Sequence, residues 1–258
     1  MVISGSKVEV LLRILEKFTL AEVMEIEEKL DEQYIVLKEL FSKIELPRIF
    51  LALVVLNAIS SYQLNCKGED YWREFSEYFS RISSKVLEVE TADELLMLFK
   101  EFLINSKCNK RLLRQKLRRV IKLRRLIARV LEEPEPYLKN PLHLTQELAR
   151  SLETSANAKT VVFAVKMFCY ASRISLNVKP DSALLSQIDI PLDSRILKIS
   201  KSLGVKEARE FWRKISRRTG IPPLHLDSLL WIGYRLAKEN KLTGIEKFDE
   251  LVVFLKEC

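Results

Sequence analysis

Glycine and proline are scarce in this chain, 6 and 8 of 258 residues. Turn-rich β architectures need such residues at their bends, so the scarcity points to long helices with short connections. Histidine is rarer still, at His143 and His225 only, and Cys66, Cys108, Cys169 and Cys258 lie far apart with no Cys-x-x-Cys spacing. The spacings that build zinc and iron–sulfur sites are therefore missing, and no metal is expected. The longest apolar run, Ile49 to Ile59, falls short of the roughly 18 residues that cross a bilayer. The N-terminal MVISGSKVEVLLRILEKF has no cleavable apolar core after a basic start. A soluble, cytoplasmic, nucleoid-associated protein without a membrane partner is expected.

What is present suits a folded helical protein. Hydrophobic residues make up 48% and charged residues 30%, which excludes a disordered chain. The formal net charge of +8 favours a polyanionic partner, most simply nucleic acid. Amphipathic helices are predicted over 6–18 and 20–42, with Thr19 as the N-cap between them. Pro47 suits the first turn of a helix that is apolar nearly all round, and so central in the core. Gly68 opens an aromatic-rich helix through Phe79, and Thr91 with Glu94 has capping-box spacing. Between Lys107 and Arg129 stand eleven Lys/Arg and no acidic residue. Aliphatics recur there at helical spacing, so one face packs while the remainder is basic. A solvated charged face normally mixes signs, and this one points to phosphates, with Arg111, Arg114, Arg118 and Arg125 as the candidate contacts. Glu133-Pro134-Glu135-Pro136 is a break and the candidate boundary between two lobes.

The stretch from Glu153 to Ile196 carries the chemistry. A polar patch at Thr154, Ser155 and Asn157 precedes an apolar run holding two isolated lysines, Lys159 and Lys166. On a helix Lys159, Phe163, Lys166 and Tyr170 share one face. Either both ammonium groups snorkel to solvent, or one is a reactive amine whose surroundings lower its pKa. A loop follows, then Ile190-Pro191-Leu192-Asp193-Ser194, where Asp193 or Ser194 caps a helix through Ser202. Beyond a further basic helix, Pro222 and Pro223 lead into a segment that places Asp227 and Trp231 four residues apart on one face. The whole reads as all-α.

Six motifs in order resemble the archaeal 8-oxoguanine DNA glycosylase family of the helix-hairpin-helix DNA glycosylase superfamily. They are Asp31-x-Gln33-Tyr34, Ser61-Tyr62-Gln63-Leu64, Gly68-Glu69-Asp70-Tyr71-Trp72, the lysine stretch from Lys159 to Met167, Ile190-Pro-Leu-Asp193, and Pro222-Pro-Leu-His-Leu-Asp227 through Trp231. The resemblance implies a two-lobed helical enzyme, acting as a monomer on DNA containing 8-oxoguanine with no cofactor. It implies Lys159 as the attacking amine and Asp193 as the catalytic aspartate. Gln33, Trp72, Phe163, Asp227 and Trp231 fall where the family lines its base pocket, and Gln63 and Lys166 sit in matching motifs. Where the wider superfamily carries Gly-x-Gly before its lysine, this chain has Ser155, Asn157 and Ala158.

The chemistry agrees with those residue types. A base inside a duplex must be flipped out, at a cost of roughly a few kcal/mol, and each aromatic platform returns about 1–3 kcal/mol by stacking. Gln33 offers both donor and acceptor to a purine edge, and Asp227 accepts from ring N–H groups. Attack at the sugar C1′ needs an unprotonated amine, so burial and the like charge of Lys166 are expected to lower the pKa of Lys159. Two alternatives remain at this stage: a glycosylase for another damaged base, and a helical nucleic-acid-binding protein without catalysis.

Overall fold

The computed structural model describes residues 3–258, with side chains from Lys7 onward. Among the described residues there is no β-strand. The chain divides into two compact units, one built from residues up to Asp31 together with Leu185–Cys258, the other from Glu32–Leu184.

The chain opens with α1 (Ile3–Leu15) and α2 (Leu20–Leu30). Thr19 caps α2 in a full capping box: its hydroxyl accepts from the Glu22 N–H at 3.3 Å, and the Glu22 carboxylate accepts from the Thr19 N–H at 2.9 Å. The single helix expected over 20–42 is in fact two. Asp31 is extended (φ −80°, ψ 110°), its N–H closes back on the Glu27 carbonyl, and α3 (Glu32–Ile44) starts afresh. An amphipathic period running through a buried Asp31 hid the break, which is also the first boundary between the units.

The Glu32–Leu184 unit continues with α4 (Pro47–Ser60), whose residues from Ile49 to Ser60 are all buried. Pro47 occupies its first turn, where a missing N–H costs nothing. Next come α5 (Gly68–Arg81), α6 (Ser83–Leu87) and α7 (Ala92–Asn105), the last opened by the Thr91–Glu94 capping box. Rings of α5 and α7 interlock, with Phe75 5.7 Å from Phe102 and Phe79 6.3 Å from Phe99. The basic stretch forms α8 (Leu113–Lys122) and α9 (Arg124–Glu132), followed by α10 (Glu135–Lys139), α11 (Pro141–Ser151), α12 (Lys159–Leu176) and the short α13 (Ser182–Leu185). The central partner of α4 is α12. The Glu133–Pro136 break, expected between lobes, lies inside this unit: Pro134 and Pro136 only turn the chain from α9 into α10. A proline break reports a bend, and α9 and α11 still meet in one core.

The discontinuous unit adds α14 (Ser194–Ser202), α15 (Ala208–Thr219), α16 (Pro223–Glu239) and α17 (Glu246–Lys256) to α1 and α2. Leu15, Phe18, Val23, Trp212, Leu229 and Phe248 meet in its core. Gly233 lets α17 approach closely, because a Cβ there would stand 2.8 Å from a Leu255 methyl. No helix among the described residues is long and apolar enough to cross a membrane.

Candidate active site

In the Glu32–Leu184 unit α12 carries three of the candidate site residues, Lys159, Phe163 and Lys166. The polar patch before it turns on itself, the Ser155 hydroxyl donating to Asn157 Oδ1 at 2.8 Å. Ala158 then occupies the N-cap without a side-chain bond, so the first turn of α12 begins uncapped. Lys159 is its first residue and is exposed; among the described residues its ammonium has no hydrogen-bond or ion-pair partner. Lys166, two turns on, is only 3% exposed. Its ammonium lies 5.6 Å from the centre of the Tyr170 ring, and Arg173 lies over Tyr34 at 5.1 Å. The burial that the sequence led us to expect at Lys159 is found instead at Lys166.

Phe163 is half-buried and meets Trp72 of α5 edge-on at 6.2 Å. Trp72 is almost wholly buried, and so is Gln33 on α3. Gln33, Trp72, Phe163 and Lys166 thus belong to three helices that pack on one another, α3, α5 and α12. Gln63 is separate. It is exposed in the loop after α4, with φ 48° in the left-handed region that non-glycine residues rarely adopt.

In the other unit Asp193 is extended (φ −88°, ψ 178°) and caps α14. One oxygen, Oδ1, accepts both cap bonds, from Arg195 N–H at 2.9 Å and Ile196 N–H at 2.8 Å. The chain leading into it is pinned by buried Asp189, which accepts from Arg209 at 2.9 Å and from Arg213 at 2.5 and 3.0 Å. That bidentate pairing holds the Arg213 pKa above its ordinary value. Asp227 lies one turn into α16 and is 3% exposed, so it is neither the cap of that helix nor a surface acid. Beside it, His225 Nδ1 stands 2.7 Å from the buried Glu27 carboxylate. Trp231 is half-buried, with the Arg195 guanidinium 4.1 Å from its ring centre. Arg195 escaped sequence reasoning, since a basic residue in the first turn of a helix has no pattern that predicts stacking.

The basic stretch sorts into two kinds of residue. Arg124 pairs with Asp93, Lys122 with Glu153 at 2.8 Å, and Arg129 with Glu147 at 2.7 Å, so carboxylates from distant positions neutralise part of it. Arg111, Arg114, Arg118 and Arg125 are exposed, and among the described residues none has an acidic partner. Lys116 is buried and donates to Asn109 Oδ1 at 2.5 Å; burial lowers its pKa to about 8. A disulfide joins Cys66 to Cys108, a pairing that no spacing in the sequence announced. Among the described residues there is no cluster of three or more His, Cys, Asp or Glu arranged to hold a metal ion.

Known proteins share this architecture. The crystal structure of the 8-oxoguanosine-complexed Pa-AGOG, an 8-oxoguanine DNA glycosylase from Pyrobaculum aerophilum, superposes with a TM-score of 0.77 at 26% identity, covering 98% of this chain and 97% of that one. An N-glycosylase/DNA lyase of Methanopyrus kandleri is 40% identical over 222 residues, 85% of this chain and 86% of its own. One from Thermococcus kodakarensis is 38% identical over 234 residues, 89% of this chain and 86% of its own. The all-helical fold and these relatives define a DNA glycosylase with lyase activity. Within that class the profile of the AGOG N-glycosylase/DNA lyase family matches residues 12–255, and the chain belongs to that family.

Proposed function

We propose that this enzyme excises 8-oxoguanine from DNA, as a monomer, with Lys159 as nucleophile and Asp193 as its acidic partner. The observation that carries the reading is the contrast in how the two groups are held. Asp193 is locked by two backbone bonds to a single oxygen, which leaves its second oxygen for chemistry. Lys159 stands exposed at the head of α12, next to a phosphate-compatible uncapped turn. The bound DNA strand then supplies the desolvation that the protein alone does not give this amine.

In the proposed reaction the Lys159 nitrogen forms a bond to C1′ as the C1′–N9 bond breaks and the base departs with its electron pair. The Asp193 carboxylate stabilises positive charge developing on the sugar, and takes the proton released by the ammonium. Ring opening gives an iminium between Lys159 and C1′; loss of a C2′ proton then expels the 3′ phosphate and nicks the strand. Trp72, Phe163 and Trp231 are the proposed aromatic surfaces of the base pocket. Because Arg195 already covers the Trp231 ring, the base takes the opposite face of that indole or displaces the guanidinium. Gln33, Lys166 and Asp227 supply polar groups to the base edge, and Gln63 sits in the strained loop that meets the DNA. Arg111, Arg114, Arg118 and Arg125 bind phosphates on either side of the lesion.

The test is incubation with an 8-oxoguanine oligonucleotide in borohydride. A reduced covalent adduct, absent with an undamaged duplex, is the expected result. Base release with no adduct on any substrate would refute the lysine mechanism. Equal trapping on other damaged purines would refute the assignment of substrate.

A further inference from the structure

We infer that Arg119 is a positioning residue for the nucleophile, acting through Thr160. The inference rests on the reading of Lys159 as the attacking amine. Arg119 belongs to the basic stretch but behaves unlike its exposed neighbours. It is half-buried, and its guanidinium donates to Thr160 Oγ1 at 2.8 Å. Thr160 is the second residue of α12, immediately after Lys159, in a turn that Ala158 leaves without a side-chain cap. The Arg119–Thr160 bond therefore ties down a turn that would otherwise fray.

The tie is itself anchored. The Arg119 guanidinium lies 5.0 Å from the centre of the Tyr62 ring, and the Lys116 ammonium lies 5.0 Å from the same ring. Tyr62 donates its hydroxyl to Gln115 Oε1 at 2.9 Å, which fixes the ring against α8. Its loop is stapled to the segment before α8 by the Cys66–Cys108 disulfide and by Asn65 N–H donating to the Cys108 carbonyl at 2.9 Å. A planar guanidinium held on an aromatic face has little freedom left, so it presents its N–H to Thr160 in one geometry. A lysine nucleophile with four rotatable bonds gains most from a fixed backbone, because small misplacement of a reacting group lowers rates steeply.

The experiment measures single-turnover excision and borohydride trapping at saturating protein, alongside the salt dependence of binding to undamaged duplex. Arg119→Gln and Thr160→Val should each slow the saturated rate by roughly ten- to hundredfold. The double variant should lose no more than the worse single one, because both remove the same bond. Thr160→Ser keeps the hydroxyl and should restore most of the rate, and the salt slope of Arg119→Gln should match that of the unmodified enzyme. Additive losses would overturn the inference, and so would a defect confined to affinity with a shallower salt slope, the signature of a phosphate contact. If Arg119→Gln does not fold, the near-isosteric Thr160→Val decides alone: an unchanged saturated rate overturns the inference. Lys159→Gln runs in parallel. Should it still form the adduct, the nucleophile assignment fails; should it lose the adduct while the Arg119 and Thr160 variants react normally, only the positioning role fails.

Discussion

The two units hold the two groups proposed to react, Asp193 and Lys159, in opposite ways. In one, Asp193 is fixed by its own cap bonds, and the buried Asp189–Arg213 pairing steadies the chain before it. In the other, Lys159 has no partner among the described residues, and the tie in that turn is made by its neighbour Thr160, which accepts from Arg119. The carboxylate is fixed by the fold itself, whereas the amine keeps its reach. A group that stabilises charge works best preorganised. A group that must form and then release a bond to carbon needs freedom to travel with the sugar.

The largest expected effect breaks that comparison outright. Lys159→Gln should abolish trapping and strand cleavage while leaving DNA binding nearly intact. Asp193→Asn should lower single-turnover excision by about 10²–10³-fold with little change in Tm, since asparagine caps a helix as well as aspartate does. Asp193→Ala should lose the same activity and also roughly 1 kcal/mol of stability from the missing cap. Excision that survives in Asp193→Asn but falls in Asp193→Ala would reduce Asp193 to a structural residue.

Next comes the base pocket. Asp227→Asn replaces part of a buried acceptor with a donor. A hydrogen bond to a charged group contributes roughly 1.5–3 kcal/mol, so excision should slow by about ten- to a hundredfold or more. Binding to undamaged DNA should not change. Lower Tm with normal excision per folded molecule would remove Asp227 from the pocket. Trp231→Ala should act on the same step and also release the Arg195 guanidinium from its stack.

A smaller effect distinguishes the two kinds of arginine in the basic stretch. Replacing Arg114, Arg118 and Arg125 by glutamine should weaken damaged and undamaged DNA alike, and reduce the salt slope by about one for each phosphate no longer neutralised. Replacing Arg124, already paired with Asp93, should reduce the slope less. Equal slopes would mean that pairing within the protein does not decide which arginines reach phosphate.

The smallest effect concerns Lys116, a buried amine outside the proposed reaction. Its folded pKa of about 8 lies below its ordinary 10.5, so between those values the unfolded chain binds the extra proton. Stability should therefore rise with pH across that window, because the cost of burying the charge disappears as the group loses its proton. Chemical denaturation of Lys116→Met should show that rise diminished relative to the unmodified protein. An identical pH dependence in the two would place the Lys116 pKa at its ordinary value.

Caps and patterns made much of this legible beforehand. Thr19, Thr91, Pro47 and Asp193 act locally, and each begins a helix where its chemistry requires. The apolar girth of α4 announced a central helix. Tertiary relationships were not legible. The Asp31 break is hidden because burying an acid demands partners from elsewhere in the fold, and no local rule records them. The basic stretch reads as uniformly charged, yet Asp93, Glu147 and Glu153 neutralise part of it across long separations. Lys159 and Lys166 look alike on a helical wheel; only their places along α12 make one exposed and the other buried. Cys66 and Cys108, 42 residues apart, are joined by folding and by no motif.

The discontinuous unit has a consequence for synthesis. Its core needs α1 and α2 together with α14–α17, yet the whole of Glu32–Leu184 emerges from the ribosome between them. That intervening segment is continuous and is able to acquire its own core while translation proceeds. The first two helices must wait, their apolar faces uncovered, until the chain beyond Leu185 has been made. Asp193, Asp227 and Trp231 are thus assembled last, and a nascent chain interrupted before α16 carries the proposed nucleophile, Lys159, without Asp227 and Trp231.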